Sequence, residues 1–145
     1  MDERIYTIKD LNRLFKACSE FFQGAGREIT VAYLYDSMVK EGTGHDLDVA
    51  VFGDEKLDEL RMGSRLERWL FSKGLKVPVD LENMSQAPIW AQFQVIKEGK
   101  RVFQKSREEA IELEFWIITR YLDLKPTLDA YNREARKRIL RAMSE

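Results

Sequence analysis

Two aspartates close together in an apolar run are the residues of this chain best placed for chemistry. Asp46 and Asp48 lie two positions apart at the start of residues 46–52, whose other members are all apolar. Because side chains alternate along a strand, both carboxylates point to one face of the sheet. Charges beside a buried strand raise the folding free energy unless a cation compensates them. Hard divalent cations prefer oxygen ligands and bridge carboxylates to phosphates, so the pattern indicates phosphoryl or nucleotidyl chemistry.

A third aspartate, Asp80, lies in a predicted strand at 76–81, on the face opposite to that strand's apolar residues. If this strand lies beside the one at 46–52, Asp80 comes next to Asp46 and Asp48. Three carboxylates there could hold two divalent ions about 3.5–4 Å apart, which would clamp an attacking oxygen and a leaving phosphate. The simpler alternative is that Asp46 and Asp80 are solvated residues at strand ends.

The elements that must position these residues follow from periodicity. β-branched and aromatic residues predict strands at 29–35, 46–52 and 76–81, and apolar residues at helical spacing predict helices at 8–22, 55–72 and 87–97. Thr7 and Asp10 form a capping-box-like start for the first helix, and Gly24 and Gly26 should stop it. A short turn or helix is expected after Asp36-Ser37.

The C-terminal third is predicted as two helices. Ser106 and Glu109 form a capping box that starts the first, and Pro126 should end or kink it before a last helix at 127–142. The first helix has more apolar surface than one small core needs, so a second copy or a helical partner would bury the excess. The apolar residues are the stripe Ile111, Phe115, Ile118 and Leu122, and beyond it Leu113, Trp116, Ile117 and Leu124.

Composition bounds the class of protein. The chain has 145 residues, 44% of them hydrophobic and 34% charged, which is typical of one globular domain. Its net charge of −1 provides no global field toward nucleic acid or membrane, and we expect neither as a partner. The single Cys18 excludes a disulfide scaffold and a cysteine zinc site. No signal-peptide core and no membrane-spanning run is present, so a cytoplasmic location is expected.

The order of these features resembles the DNA polymerase β-like nucleotidyltransferase superfamily, and most closely its minimal nucleotidyltransferases. In that family an apolar strand leads to Gly-Ser, a spacer, Asp-x-Asp and a later Asp. Here the strand at 29–35 leads to Asp36-Ser37, a glycine-containing spacer, Asp46-Leu47-Asp48 and then Asp80. With the similarity of residues 96–103 and 115–126 to the family's later elements, the resemblance covers roughly residues 5–135.

The resemblance implies a small α/β (α+β) fold, a short mixed sheet flanked by helices with a C-terminal helical extension. It implies one nucleotidyltransferase domain over residues 1–145, with a core at about 5–104 and C-terminal helices at about 106–143. The implied reaction is metal-dependent transfer of a nucleoside monophosphate, AMP from ATP, to a hydroxyl group, with pyrophosphate leaving.

The resemblance also implies roles and partners. Asp46 and Asp48 would ligate two Mg²⁺ ions, and Asp80 would ligate the catalytic ion and help activate the attacking hydroxyl. Ser37 would hold the terminal phosphates of the nucleoside triphosphate, with Asp36 and Lys40 beside it. The family is best known as antitoxins that modify helical HEPN-type ribonuclease toxins on a tyrosine. A HEPN-type partner is therefore expected, and a homo-oligomer through the C-terminal helices is a further expectation.

One position departs from the family pattern. Asp36 stands where the family has the glycine that lets the backbone approach the triphosphate. Its negative charge should repel phosphate, although an aspartate there could also be a plain helix N-cap. The alternative function is therefore a catalytically degenerate nucleotidyltransferase-fold protein that acts as a non-enzymatic binding partner.

Overall fold

The computed structural model describes residues 4–25 and 27–144, and a four-stranded mixed sheet forms its centre. In chain order, its strands are β2 (Ile29–Tyr35), β4 (Leu47–Gly53), β5 (Val79–Asn83) and β6 (Lys100–Gln104). The spatial order is β5-β4-β2-β6: β2 is antiparallel to β4 and β6, and β5 is parallel to β4. A small antiparallel sheet pairs β1 (Tyr6–Thr7) with β3 (Thr43–Gly44).

Helices cover both faces of the main sheet. They are α1 (Leu11–Ala25), α2 (Ser37–Glu41), α3 (Glu59–Ser72), α4 (Ile89–Glu98) and α5 (Arg107–Ser144). One core lies between the sheet and α1 with α3, and a second lies between the sheet and α4 with the start of α5. The expected α/β fold with a short mixed sheet flanked by helices is confirmed. No helix in residues 4–25 and 27–144 is long and apolar enough to cross a membrane.

Strand β4 joins the two cores through the alternation of its side chains. Leu47, Val49 and Val51 pack into the core under α1 and α3. Ala50 and Phe52 pack into the core on the opposite face. The face of β4 that carries Asp48 is therefore the face that α4 and α5 cover farther along the strand.

The N-terminal capping prediction was wrong. Thr7 belongs to β1, whereas Asp10 alone caps α1, because its Oδ1 accepts a hydrogen bond of 3.1 Å from the backbone N–H of Arg13. Gly24 lies within α1 and does not stop it, and Gly26 lies outside the described residues. The strand predicted at 76–81 is shifted to β5, which begins at Val79.

The C-terminal prediction of two helices was also wrong, because α5 is one helix of 38 residues that contains Pro126. The proline removes only the hydrogen bond that would reach the carbonyl of Leu122, and this part of the helix is exposed, so water can satisfy that carbonyl. The capping box at its start is present: the Ser106 hydroxyl accepts from the Glu109 N–H at 3.1 Å and donates to the Glu109 carboxylate at 3.0 Å.

The apolar stripe named above lies on the exposed side of α5. The core instead receives Ala110 and Ile117, both fully buried. Two contacts fix this orientation. The hydroxyl of buried Tyr33 donates to the carboxylate of Glu114, and the ring of Tyr121 stacks on Phe93 at 3.9 Å between centroids. The prediction of excess apolar surface holds, since the whole stripe of Ile111, Phe115, Ile118 and Leu122 is exposed.

The pairing of β2 with β4 depends on a glycine. A Cβ on Gly53 would lie 2.3 Å from the backbone oxygen of Glu28, next to the irregular pairing at Ile29. We expect Gly53→Ala to lower the free energy of unfolding by about 1–3 kcal/mol through overpacking. Gly24→Ala is the matched control, because a Cβ there meets nothing within 4 Å. It should raise stability by up to about 1 kcal/mol through helix propensity. Urea unfolding of both variants checks this, and an unchanged Gly53→Ala protein would contradict it.

Candidate active site

The parallel pairing of β4 with β5 brings the three aspartates together. Asp48 is directly opposite Asp80 in the register, and Asp46 immediately precedes β4. The backbone N–H of Leu47 donates to the carbonyl of Pro78 at 2.8 Å, which fixes the start of the pairing. One carboxylate oxygen from each of Asp46, Asp48 and Asp80 lies within 4.8 Å of the other two.

These carboxylates disfavour their own ionisation. Burial raises the pKa of Asp48 from 3.8 to about 7, helped by the charge of Asp46, a hydrogen bond to the carboxylate of Asp36 and the charge of Asp80. The pKa of Asp46 is also raised, first by burial and then by Asp80. A compact set of oxygen donors with unneutralised negative charge fits a hard divalent cation.

Tyr35 also borders the site, beside Asp48. It was not among the site residues predicted from the sequence. It is opposite Asp48 in the pairing of β2 with β4. Burial raises its pKa to about 12, followed by the charges of Asp48 and of Glu82 on β5. The sequence places Tyr35 only at the end of its strand, and its proximity to Asp48 depends on the strand register.

Asp36 has a backbone conformation that normally requires glycine. Its φ of 74° and ψ of −162° lie in a region that is essentially restricted to glycine, and no other non-glycine residue among the described ones has a positive φ. Its carbonyl accepts from the N–H groups of Val39 and Lys40. Its side chain makes no capping hydrogen bond, so the interpretation of Asp36 as a plain side-chain N-cap was wrong. The carboxylate instead interacts with Asp48.

Ser37 borders a space that a glycine keeps open. A Cβ on Gly44 would lie 2.7 Å from the Ser37 hydroxyl oxygen and 3.6 Å from the backbone nitrogen of Met38. Gly44 lies in β3, two residues before Asp46. Gly44 was not among the site residues predicted from the sequence, although its spacing to Asp46 is visible there. The exposed Ser37 hydroxyl therefore lies beside the space that a side chain at position 44 would fill.

Three other residues with reactive or charged side chains, Lys40, His45 and Cys18, lie outside the cluster of aspartates. The ammonium of Lys40 pairs with the carboxylate of Glu98 at 3.4 Å, and both side chains are exposed. Nδ1 of His45 lies 3.2 Å from the carbonyl oxygen of Arg4. Cys18 is fully buried, and burial raises its pKa to about 12, so its thiol is a core group and not a nucleophile.

Comparison with known proteins agrees with this geometry. Residues 16–108 match the family model described as "Polymerase beta, Nucleotidyltransferase". No curated protein matches the chain. Similar folds occur among solved structures of toxin–antitoxin pairs.

One is a mutant of the pair MntA–HpeT, with a TM-score of 0.62 at 18% identity over 88% of this chain and 98% of the other. Another is a toxin–antitoxin structure with AMP-PNP, with a TM-score of 0.62 at 19% identity over 84% and 98%. A third is a tri-AMPylated HEPN toxin from Shewanella oneidensis in complex with MNT antitoxin, with a TM-score of 0.61 at 20% identity over 86% and 98%. At these identities the likeness shows the fold.

The raised pKa of Asp48 predicts the effect of removing its charge. The folded-state pKa lies above the ordinary value, so the metal-free protein loses stability as the pH rises from 3.8 through about 7. Asp48→Asn should remove this loss and melt at an equal or higher temperature than the wild type at pH 8, with a smaller difference at pH 5. Added Mg²⁺ should raise the melting temperature of the wild type but not that of Asp48→Asn.

Asp123→Asn, on the exposed surface of α5, is the control and should behave like the wild type in both respects. Thermal melts across pH, with and without Mg²⁺, provide the measurement. An Asp48→Asn protein that unfolds at pH 8, or that Mg²⁺ stabilises as much as the wild type, would show that these carboxylates do not form a metal site.

Proposed function

The chain belongs to the polymerase β nucleotidyltransferase family, and on this basis we propose that it transfers AMP from ATP to a hydroxyl group of a protein. The observation that carries the proposal is the meeting of Asp46, Asp48 and Asp80, with one oxygen of each within 4.8 Å of the others. The resemblance in the order of Ser37 and the three aspartates also supports it. The whole of residues 1–145 would act as one domain.

The three aspartates have different roles in this proposal. Asp46 and Asp48 would hold Mg²⁺, for which two ions are expected, and Asp80 would ligate the catalytic ion. When bound, Mg²⁺ supplies positive charge for the phosphate oxygens and lowers the pKa of the attacking hydroxyl. Asp48 would have to be ionised to act as such a ligand, because a carboxylate binds a metal ion in its deprotonated form.

The transfer is a displacement at phosphorus. The acceptor oxygen forms a bond to the α-phosphorus of ATP, the bond from that phosphorus to the oxygen bridging the α- and β-phosphates breaks, and pyrophosphate leaves with the electron pair. The proton of the acceptor hydroxyl passes to the carboxylate of Asp80. Asp80 is the exposed member of the three, so it can release that proton to water.

Ser37 would hold the departing phosphates. Its hydroxyl faces the space that Gly44 leaves open, which suits a phosphate oxygen. Lys40 lies three residues after Ser37 in α2. Its ammonium would leave the carboxylate of Glu98 and bind a phosphate, since an exposed ion pair contributes little stability. Asp36 opposes this binding, because its carboxylate adds a negative charge beside the triphosphate.

The proposed acceptor is a HEPN-type protein, within a toxin–antitoxin system in the cytoplasm. A similar fold occurs in a structure described as a tri-AMPylated HEPN toxin in complex with MNT antitoxin. Nucleotide binding by this fold is supported by the related structure with AMP-PNP. The modified group would be a hydroxyl such as that of tyrosine.

A second candidate function is binding without catalysis, and Asp36 is the observation that favours it. The chain would then retain the fold and its partner surface but bind ATP weakly. Both functions predict association with a HEPN-type protein, so only nucleotide binding and transfer distinguish them.

Label transfer tests the proposal directly. We expect the protein to bind AMP-PNP in the presence of Mg²⁺, measured by calorimetry, and to move label from α-³²P-ATP onto an unmodified HEPN-type toxin. Asp46→Asn should abolish transfer, whereas the surface variant Asp123→Asn should retain it. Toxin binding without nucleotide binding or transfer would establish the second candidate, and the absence of both would overturn the two together.

Asp36→Gly tests the departure from the family pattern. Glycine removes the negative charge and suits the positive φ, so it should tighten ATP binding about tenfold or more and raise the melting temperature. Asp36→Ala separates the two effects, because it removes the charge but keeps a Cβ at the strained position. It should tighten ATP binding without the gain in melting temperature. Equal ATP affinity in all three proteins would mean that Asp36 does not face the phosphates.

A further inference from the structure

The outward side of α5 has an apolar stripe that no described residue covers. The stripe consists of Ile111, Phe115, Ile118 and Leu122, which are between 37% and 70% exposed. Their spacing of four, three and four residues places them on one face of the helix. That face is turned away from the core, which the same helix contacts through Ala110 and Ile117.

The net charge of α5 is negative in its first turns, although Arg107 lies there, and positive in its last turns. The first turns contain Glu108, Glu109 and Glu112, and the last turns contain the basic residues Arg136, Lys137, Arg138 and Arg141. None of these side chains forms an ion pair within the described part of the chain. At 38 residues and about 1.5 Å per residue, α5 separates the two ends by about 57 Å.

The spacing of the outward stripe is repeated in the second half of the helix. Asp129, Arg133, Arg136 and Leu140 follow one another at intervals of four, three and four residues, and they begin seven residues after Leu122. A seven-residue step keeps them on the same face as the stripe. One face therefore runs from Ile111 to Leu140. Its first half is apolar, and its second half carries Asp129, two arginines and Leu140.

From this pattern we propose that two copies of the chain associate through antiparallel pairing of their α5 helices along this outward face. Ile111 of one copy then lies opposite Leu140 of the other, and Phe115 and Ile118 lie opposite Arg136 and Arg133. The long arginine stems cover the apolar stripe, and the guanidinium of Arg136 can stack on the Phe115 ring.

The charged ends of the two α5 helices are also complementary in this arrangement. In this register Glu108 and Glu112 of one copy lie beside Arg141 and Lys137 of the other, on the same side of the contact. Two-fold symmetry makes every such contact occur twice, as in other isologous dimers. The side of each α5 that packs on the core, through Ala110 and Ile117, is not part of this contact. This pairing does not depend on the transfer activity.

Charge reversal at one end tests the antiparallel arrangement. The full chain should be a dimer by light scattering. Reversal of the basic end, in Lys137→Glu with Arg141→Glu, places like charges together and should weaken the dimer at least tenfold. Reversal of the acidic end, in Glu108→Lys with Glu112→Lys, should do the same. An equimolar mixture of the two variants should recover dimers, because each reversed end then meets an opposite charge.

Two equally exposed aromatic residues test which face of α5 forms the dimer contact. Phe115 and Tyr131 are each 70% exposed, but Tyr131 lies on the side of α5 that is continuous with the core contact. Phe115→Ser should weaken the dimer, and Tyr131→Ser should leave it unchanged. Circular dichroism should show the same helix content in every variant.

Each of three results would overturn the proposal. The first is a wild-type chain that is monomeric at every concentration, even if it binds a HEPN-type protein, because the stripe would then belong to another partner. The second is a dimer that survives both charge reversals. The third is a mixture of the two variants that stays monomeric, since in antiparallel pairing each reversal alone weakens the dimer and mixing restores opposite charges at both ends.

Discussion

The register of β4 against β5 is the constraint on which the candidate site depends. Leu47, Val49 and Val51 are fully buried, and their packing under α1 and α3 sets which face of β4 carries Asp48. A slip by one residue would turn Asp48 into the core under α1 and α3 and move these side chains to the face that carries the carboxylates, so hydrophobic packing holds the register. The same packing keeps Asp48 opposite Asp80 although the two carboxylates repel each other. The apolar face of the strand thus stabilises the charged cluster on its other face.

Strain and charge coincide at Asp36. A side chain in this backbone region costs on the order of 1–3 kcal/mol, and the turn from β2 into α2 imposes the conformation. The sequence identified the charge problem, because the resemblance places a glycine there. It could not identify the strain, since the φ of one residue depends on how the strand and the helix meet.

The sequence predicted the elements whose residue pattern fits only one type of secondary structure. Strand β2 was predicted at its observed bounds, because seven residues rich in β-branched and aromatic types fit few other structures. The roles of Asp46, Asp48 and Asp80 stay predictions, although the structure places them together. Tyr35 and Gly44 were missed as site neighbours, because their positions depend on strand pairing across the chain. The short strands β1 and β3 were missed, because two residues carry no periodic signal.

Helix α5 shows why periodicity alone could not choose its buried face. The helix has two apolar faces, and spacing alone did not show whether the core receives the bulkier one. The structure buries the other, because Ala110 is small enough to approach the sheet. The carboxylate of Glu114 also holds this face, since it accepts a hydrogen bond from the Tyr33 hydroxyl and forms an ion pair of 3.0 Å with Arg101. Tyr33 lies two residues before Tyr35 on β2, so the strand that borders the aspartates also anchors α5. One strand therefore fixes both the candidate site and the direction in which the outward stripe faces.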